Sequence, residues 1–104
     1  MNLEDSQIIA RIKSLIPTER HGEAVVYLDT QPKEPGERIT LGRQEFIVPF
    51  AGHFIFIDLM PIANWGHPAM GVLLAEKGEE AFVFDCEFPP FFGTLPDTIR
   101  KLPL

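Results

Sequence analysis

The 104-residue sequence has a single cysteine, no strongly basic segment and no long run of apolar residues. One cysteine, Cys86, excludes a disulfide within the chain and suits a reducing compartment. With 15 acidic against 9 basic residues, the formal charge is −6, which argues against binding to a nucleic-acid backbone. The apolar runs are far shorter than the ~18 residues of a membrane-spanning helix. We therefore expect no nucleic-acid partner and no membrane partner.

Short motifs of common catalytic and cofactor sites are also missing. The sequence has no Gly-x-Ser-x-Gly elbow, phosphate-binding loop, paired-cysteine motif or dinucleotide fingerprint. We therefore predict no cofactor and favour a non-enzymatic role. Residues 1–15 include Glu4, Asp5, Arg11 and Lys13, where a secretory signal needs an apolar core. The expected location is the cytoplasm.

Length and composition predict one domain covering residues 1–104. Apolar residues make up 45% of the chain and charged residues 23%, which is close to the average for globular proteins and argues against disorder. The pattern along the chain divides it into an N-terminal helix at 1–16, an antiparallel β region at 23–88 and a tail rich in proline and phenylalanine at 89–104.

The segment from Asn2 to Ile16 has the spacing of an amphipathic helix. Its large aliphatic residues recur three and four positions apart on one face: Ile8, Ile9, Ile12, Leu15 and Ile16. Asn2 is a suitable N-cap, and Pro17 disfavours helical geometry at Ile16. We expect this helix to pack on its own sheet.

Apolar and β-branched runs between turn residues predict the strands. They cover residues 24–28, 37–41, 44–48, 54–59, 70–75 and 80–88. Short turns between successive strands favour antiparallel pairing. The run at 54–59 lacks alternation, so it is predicted to be a central strand covered on both faces, while residues 97–101 are predicted to form one helical turn.

These elements predict a mainly β fold. The architecture is a curled antiparallel sheet or a small β-sandwich of about six strands, with one N-terminal α-helix against a face or an edge. A two-layer α+β fold is the alternative.

Two aromatic segments are the predicted binding surface. The central strand leads into a loop that contains Asn64, Trp65 and His67, and rigid strands commonly present functional loops in this way. Phe91 and Phe92 follow the last predicted strand, and they either fold back on the sheet or form an apolar binding surface. Aromatic side chains dominate many protein interfaces, although Trp65 and Asn64 would also suit purely structural roles.

A weaker set of candidates involves acid–base or metal chemistry. Asp58 and His67 could meet if the loop folds back over the strand end, and Asp85 or Glu87 could add a third metal ligand if the last strand is adjacent. His53 and Asp58 are expected on opposite faces of one strand. Cys86 is expected to be buried and unreactive, because Phe84 and Phe88 share its face.

The favoured interpretation is a small, acidic, cytoplasmic interaction or accessory domain. It would bind a protein or peptide through the Trp65 loop and the surface of Phe91 and Phe92, and a homodimer through an exposed strand edge would be compatible. The alternative is a ligand-binding or metal-dependent enzyme centred on Asp58, Asn64 and His67.

Overall fold

The N-terminal helix, α1, spans Asp5–Leu15 in a computed structural model of the chain. The structure describes residues 4–16, 18, 24–41, 43–59, 69–75, 80–86 and 96–102. Its N-cap is Glu4, whose backbone N–H donates to the side-chain oxygen of Gln7 at 2.8 Å. A side chain three residues into the helix can satisfy the cap in this way, so the prediction of Asn2 as the N-cap is wrong. Asn2 itself lies outside the described residues. Ile16 is already extended, as expected for a residue before proline.

The described residues also form seven strands. They are β1 Val25–Asp29, β2 Arg38–Leu41, β3 Gln44–Ile47, β4 Gly52–Asp58, β5 Ala69–Ala75, β6 Ala81–Cys86 and β7 Ile99–Leu102. The first six correspond to the six predicted runs.

Five of these strands form one antiparallel sheet in the order β6-β5-β4-β1-β7. Strand β4 lies in the middle, with Ile57 opposite Val26 of β1 and Met70 of β5. This confirms the prediction of a central strand. Strands β2 and β3 pair as a separate hairpin, and an isolated bridge between Lys33 and Gly52 ties the connection before this hairpin to β4.

Both faces of the sheet are covered by apolar packing. The helix face carries Val26, Leu28, Ile55, Ile57, Val72, Leu74 and Leu102, which pack with Ile8, Ile12 and Ile16. The opposite face, here called the hairpin face, carries Phe54, Phe56, Ala69, Leu73 and Cys86, which pack with Ile39, Leu41 and Val48. Burying one large aliphatic side chain stabilises a fold by about 1.5–3 kcal/mol. Because β4 contributes to both cores, its sequence shows no alternation of apolar and polar residues.

An aromatic stack joins the hairpin to the sheet. The ring of Phe84 on β6 lies over Gly71, its register partner on β5. Phe46 of β3 stacks on Phe84 with 3.9 Å between ring centroids, and the ring centroid of Phe54 lies 6.1 Å from that of Phe84. An aromatic ring can fill the space left by a strand glycine. The stack therefore fixes where β3 sits over the sheet.

Strand β7 replaces the helical turn predicted at 97–101. Asp97 and Thr98 form a turn, and β7 then pairs with β1, with Ile99 opposite Asp29. Ile99 and Leu102 are both buried, and their spacing of three resembles one helical face. In a strand, that spacing places them on opposite faces. The helical-turn prediction is wrong, and residues 99–102 belong to the sheet and not to a tail.

The mainly β class, with an antiparallel sheet and one α-helix, is confirmed. The Cα radius of gyration is 12.7 Å, close to the ~13 Å expected for a domain of 100 residues. The chain is thus a single compact domain. In the part of the chain that the structure describes, no helix is long and apolar enough to cross a membrane.

Candidate functional site

All five predicted binding residues lie outside the described part of the chain: Asn64, Trp65, His67, Phe91 and Phe92. Glu87, the other candidate for a third metal ligand, lies outside it as well. Their roles stay predictions, and so does any pairing of His67 with Asp58. The remaining candidates are Asp58, which is half-buried at the end of β4, and Asp85, which is exposed on β6.

The structure does not bring Asp58 and Asp85 together. Strand β5 lies between β4 and β6, so the two strands are about 10 Å apart. Asp58 is opposite Ala69 and Asp85 is opposite Met70, and these consecutive residues of β5 point to opposite faces. Within the described residues, no three His, Cys, Asp or Glu side chains could hold a metal ion. A metal site would therefore need at least one ligand from outside this part of the chain.

His53 and Asp58 lie on opposite faces of β4, as expected from their odd spacing. His53 is buried, and its Nδ1 atom is 3.1 Å from the backbone oxygen of Asp29. That hydrogen bond holds the ring between β4 and the end of β1, away from Asp58. The two side chains therefore form no acid–base pair.

Cys86 is buried on the hairpin face, which confirms the expectation from its aromatic neighbours. Burial, with a smaller contribution from the negative charge of Asp85, raises the pKa of the Cys86 thiol to about 11. Because the thiolate is the nucleophile, this thiol stays unreactive at neutral pH.

Each of the two predicted aromatic segments has one attachment at the same end of the sheet. Residues 60–68, which include Trp65, lead into Ala69 at the start of β5, and residues 87–95, which include Phe91, follow Cys86 at the end of β6. Ala69 and Cys86 are register partners. The described strands therefore place one attachment of each segment on adjacent positions, whereas residues 87–95 lead to the start of β7 at the other end of the sheet.

Strand β6 also has a free outer edge among the strands that the structure describes, because it is the terminal strand of the sheet beyond β5. The backbone N–H of Ala75 donates to the oxygen of Glu80 at 2.9 Å. In an antiparallel pair, the backbone groups of every second residue bond to the neighbouring strand. The residues after Glu80 whose backbone groups bond to β5 are therefore Phe82, Phe84 and Cys86. The backbone N–H and C=O groups of Ala81, Val83 and Asp85 consequently point outward.

Apolar side chains stand beside this edge. Val83 on the helix face is 40% exposed and Phe82 on the hairpin face is 38% exposed. The centroid of the Phe82 ring lies 5.4 Å from that of Phe84, which ties it to the aromatic stack. Exposed Glu80 and Asp85 lie at the two ends, and no described Lys or Arg forms an ion pair with either.

Sequence reasoning missed this edge although it assigned the two faces of β6 correctly. The alternation of Phe82 and Phe84 with Val83 and Asp85 specifies the faces, but it contains no information about which strand lies next to which. Comparisons with known protein families, with curated proteins and with solved structures find no match for this chain.

Proposed function

We propose that this protein is a small interaction domain that binds a protein or peptide partner by adding an extended segment of the partner to β6. The observation that carries the proposal is the outward row of backbone groups at Ala81, Val83 and Asp85, with exposed Val83 and Phe82 beside it. An exposed sheet edge binds extended peptides through main-chain hydrogen bonds, while alternate side chains provide specificity.

The charges at the ends of β6 favour a basic partner. Glu80 and Asp85 are exposed in the structure, and the sequence places Glu79 before Glu80 and Glu87 two residues after Asp85. Opposite charges across paired strands are favourable, whereas like charges are not. We therefore propose that the bound segment alternates apolar residues with Lys or Arg.

The same charges oppose a homodimer through this edge. Antiparallel pairing of two β6 strands centred on Val83 would place Asp85 of each copy opposite Ala81 of the other, where it meets no opposite charge. The formal charge of −6 adds a repulsion over longer distances. Trp65, Phe91 and Phe92 remain the predicted side-chain anchors for the partner, because the Trp65 segment leads into the start of β5 and the segment of Phe91 and Phe92 leaves the end of β6.

The test uses a short synthetic peptide in which valine and lysine alternate, titrated into the protein labelled for amide NMR. We expect saturable shifts at the amides of Val83 and Asp85, together with slower hydrogen exchange there. A peptide that alternates valine and glutamate serves as the charge control and should not bind.

Two substitutions at one position separate the backbone contact from the side chain. Val83→Pro removes the outward N–H without removing a hydrogen bond to β5, a position at which edge strands tolerate proline. Val83→Thr keeps the N–H and the branched shape. We expect binding to be lost in Val83→Pro and kept in Val83→Thr, with urea denaturation confirming that both variants fold. Equal binding by the two variants, or dimerisation without peptide, would overturn the proposal.

A further inference from the structure

The hairpin face has a pocket and an aromatic edge, and of the two the edge offers the more accessible apolar side chain. The pocket, of about 320 Å³, lies between the end of β1, strand β2 and the start of β7. Its lining includes the ion pair of Asp29 and Lys33, whose charges compensate each other. Its apolar residues Ile39 and Phe54 are buried. At the edge, by contrast, Phe82 of β6 is 38% exposed.

A row of aromatic rings leads from the core to this edge. Phe54 on the central strand is buried, and its ring centroid lies 6.1 Å from that of Phe84. Phe84 contacts both Phe46 of the hairpin, at 3.9 Å between centroids, and Gly71 of β5. The ring of Phe82 follows, with its centroid 5.4 Å from that of Phe84. Among the described residues the row ends at Phe82, where a partner's ring could extend it.

A strand added antiparallel to β6 would approach Phe82 closely. The outward backbone groups of β6 belong to Ala81, Val83 and Asp85, so those of Phe82 point to β5. Phe82 would therefore form a non-hydrogen-bonded pair with the residue opposite it on the added strand. The Cα atoms of such a pair are ~4.5 Å apart, against ~5.5 Å in a hydrogen-bonded pair. Aromatic pairs across strands are among the favourable ones, so an aromatic residue suits this position.

The other face of β6 suits lysine. Val83 and Asp85 lie on the helix face, where Val83 is 40% exposed and Asp85 is exposed as well. A lysine opposite Val83 can pack its aliphatic stem on that side chain while its ammonium group stays in water. Asp85 is then its diagonal neighbour, and diagonal neighbours are within reach of long side chains. The two faces of β6 therefore select different residues from the same partner.

We propose that the partner of β6 is a basic segment with one aromatic anchor, which binds antiparallel to β6 with its aromatic ring against Phe82. This inference rests on the proposed binding at β6 and adds the direction and side-chain order of the partner. Antiparallel addition continues the pairing of β5 with β6 and is slightly more stable per residue than parallel addition. From its N-terminus to its C-terminus, the partner has lysine, an apolar residue, lysine and an aromatic residue opposite residues 85, 84, 83 and 82.

The experiment compares two synthetic peptides that differ at the anchor. One has the sequence Val-Lys-Val-Lys-Phe-Lys-Val, and the other has leucine in place of phenylalanine. Both have the same charge and a large apolar side chain at the anchor. We expect the phenylalanine peptide to bind roughly two- to tenfold more tightly, the range for an aromatic pair beyond its buried area. Isothermal titration calorimetry measures both affinities.

Two protein variants locate the anchor. Phe82→Leu removes the ring at the end of the row and should abolish the preference for the phenylalanine peptide. Tyr27→Leu removes a ring from the same face on β1, which is separated from β6 by β4 and β5, and should keep the preference. Urea denaturation confirms that each variant folds.

The direction of binding is measured on the natural protein, so it does not depend on the folding of a variant. A nitroxide at the N-terminus of the phenylalanine peptide broadens the amide NMR signals near it. In the proposed orientation the peptide's N-terminus lies opposite the end of β6, so the amide of Cys86 should broaden more than that of Ala81.

The contrary results separate this inference from the proposed function. Equal binding of the two peptides, a preference that persists in Phe82→Leu or disappears in Tyr27→Leu, or stronger broadening at Ala81 would each overturn the inference and leave peptide binding at β6 standing. If neither of these peptides binds, nor the peptide that alternates valine and lysine, the proposed function and this inference are both overturned.

Discussion

Substitution of Gly71 by alanine tests the aromatic stack that joins the hairpin to the sheet. A methyl group at Gly71 would overlap the Cε2 and Cζ atoms of Phe84 and come within 3.0 Å of its Cδ2 atom. The ring cannot simply move away, because Phe46 stacks on it at 3.9 Å. Gly71→Ala therefore forces either a distorted Phe84 rotamer or a displaced hairpin.

The expected loss of stability follows from two opposing terms. Inserting a methyl group into a packed region costs about 1–3 kcal/mol. Replacing a strand glycine with alanine returns about 0.5–1 kcal/mol, because the unfolded chain becomes less flexible. We expect Gly71→Ala to lower the free energy of unfolding by about 1–2 kcal/mol, which corresponds to a fall in Tm of roughly 5–15 °C for a domain of this size.

A double-mutant cycle with Phe84→Leu isolates the cause. Leucine lacks the distal ring atoms that the new methyl group would overlap, so Gly71→Ala should be neutral or stabilising when it is made in Phe84→Leu. The coupling free energy, measured by urea denaturation of the four proteins, should exceed about 1 kcal/mol. If Gly71→Ala destabilises the natural protein and Phe84→Leu equally, or if it stabilises the natural protein, then contact with Phe84 is not the reason that residue 71 is glycine.

Two further predictions concern ionisable groups. Arg100 donates to both carboxylate oxygens of Asp5 at 2.5 and 2.9 Å, and this hydrogen bonding lowers the pKa of Asp5 in the folded protein. The stabilisation by this ion pair is therefore fully present above the unfolded pKa of ~3.9 and is lost as pH falls through the lower folded pKa. The difference in free energy of unfolding between the natural protein and Asp5→Asn should shrink in that range. A constant difference down to acid denaturation would contradict this prediction. The raised pKa of Cys86, about 11, predicts that Ellman's reagent reacts slowly with the folded protein at pH 8 and rapidly after unfolding in urea, while rapid reaction in the native state would show that the thiol is accessible.

The local pattern was enough to find the helix, the hairpin and the central strand. Isoleucines three and four residues apart specify α1, and a buried run without alternation specifies β4. Both signals operate within one element. The same local reading failed at Ile99 and Leu102, because burial on two faces of a strand and burial on one face of a helix give the same spacing of three.

The candidate sites depended on contacts that no local pattern contains. Asp58 and Asp85 both lie in predicted strands, and only the position of β5 between those strands shows that the two carboxylates lie apart. A pocket lined by Asp29 and Lys33 gave no signal in the sequence, since it forms only where the end of β1 meets β2 and β7. The outer edge of β6 likewise exists only through the order of the strands.

The sequence by itself determined most elements in the described part of this protein: one amphipathic helix, six of its seven strands, their antiparallel relation and the burial of Cys86. These properties follow from side-chain periodicity, proline positions and short turns, which act over a few residues. The tertiary structure decided the strand order, the pairing of β7 with β1, the outer edge of β6 among the described strands and the pocket lined by Asp29 and Lys33. Those features follow from which residues distant along the chain meet when both faces of the sheet are buried at once.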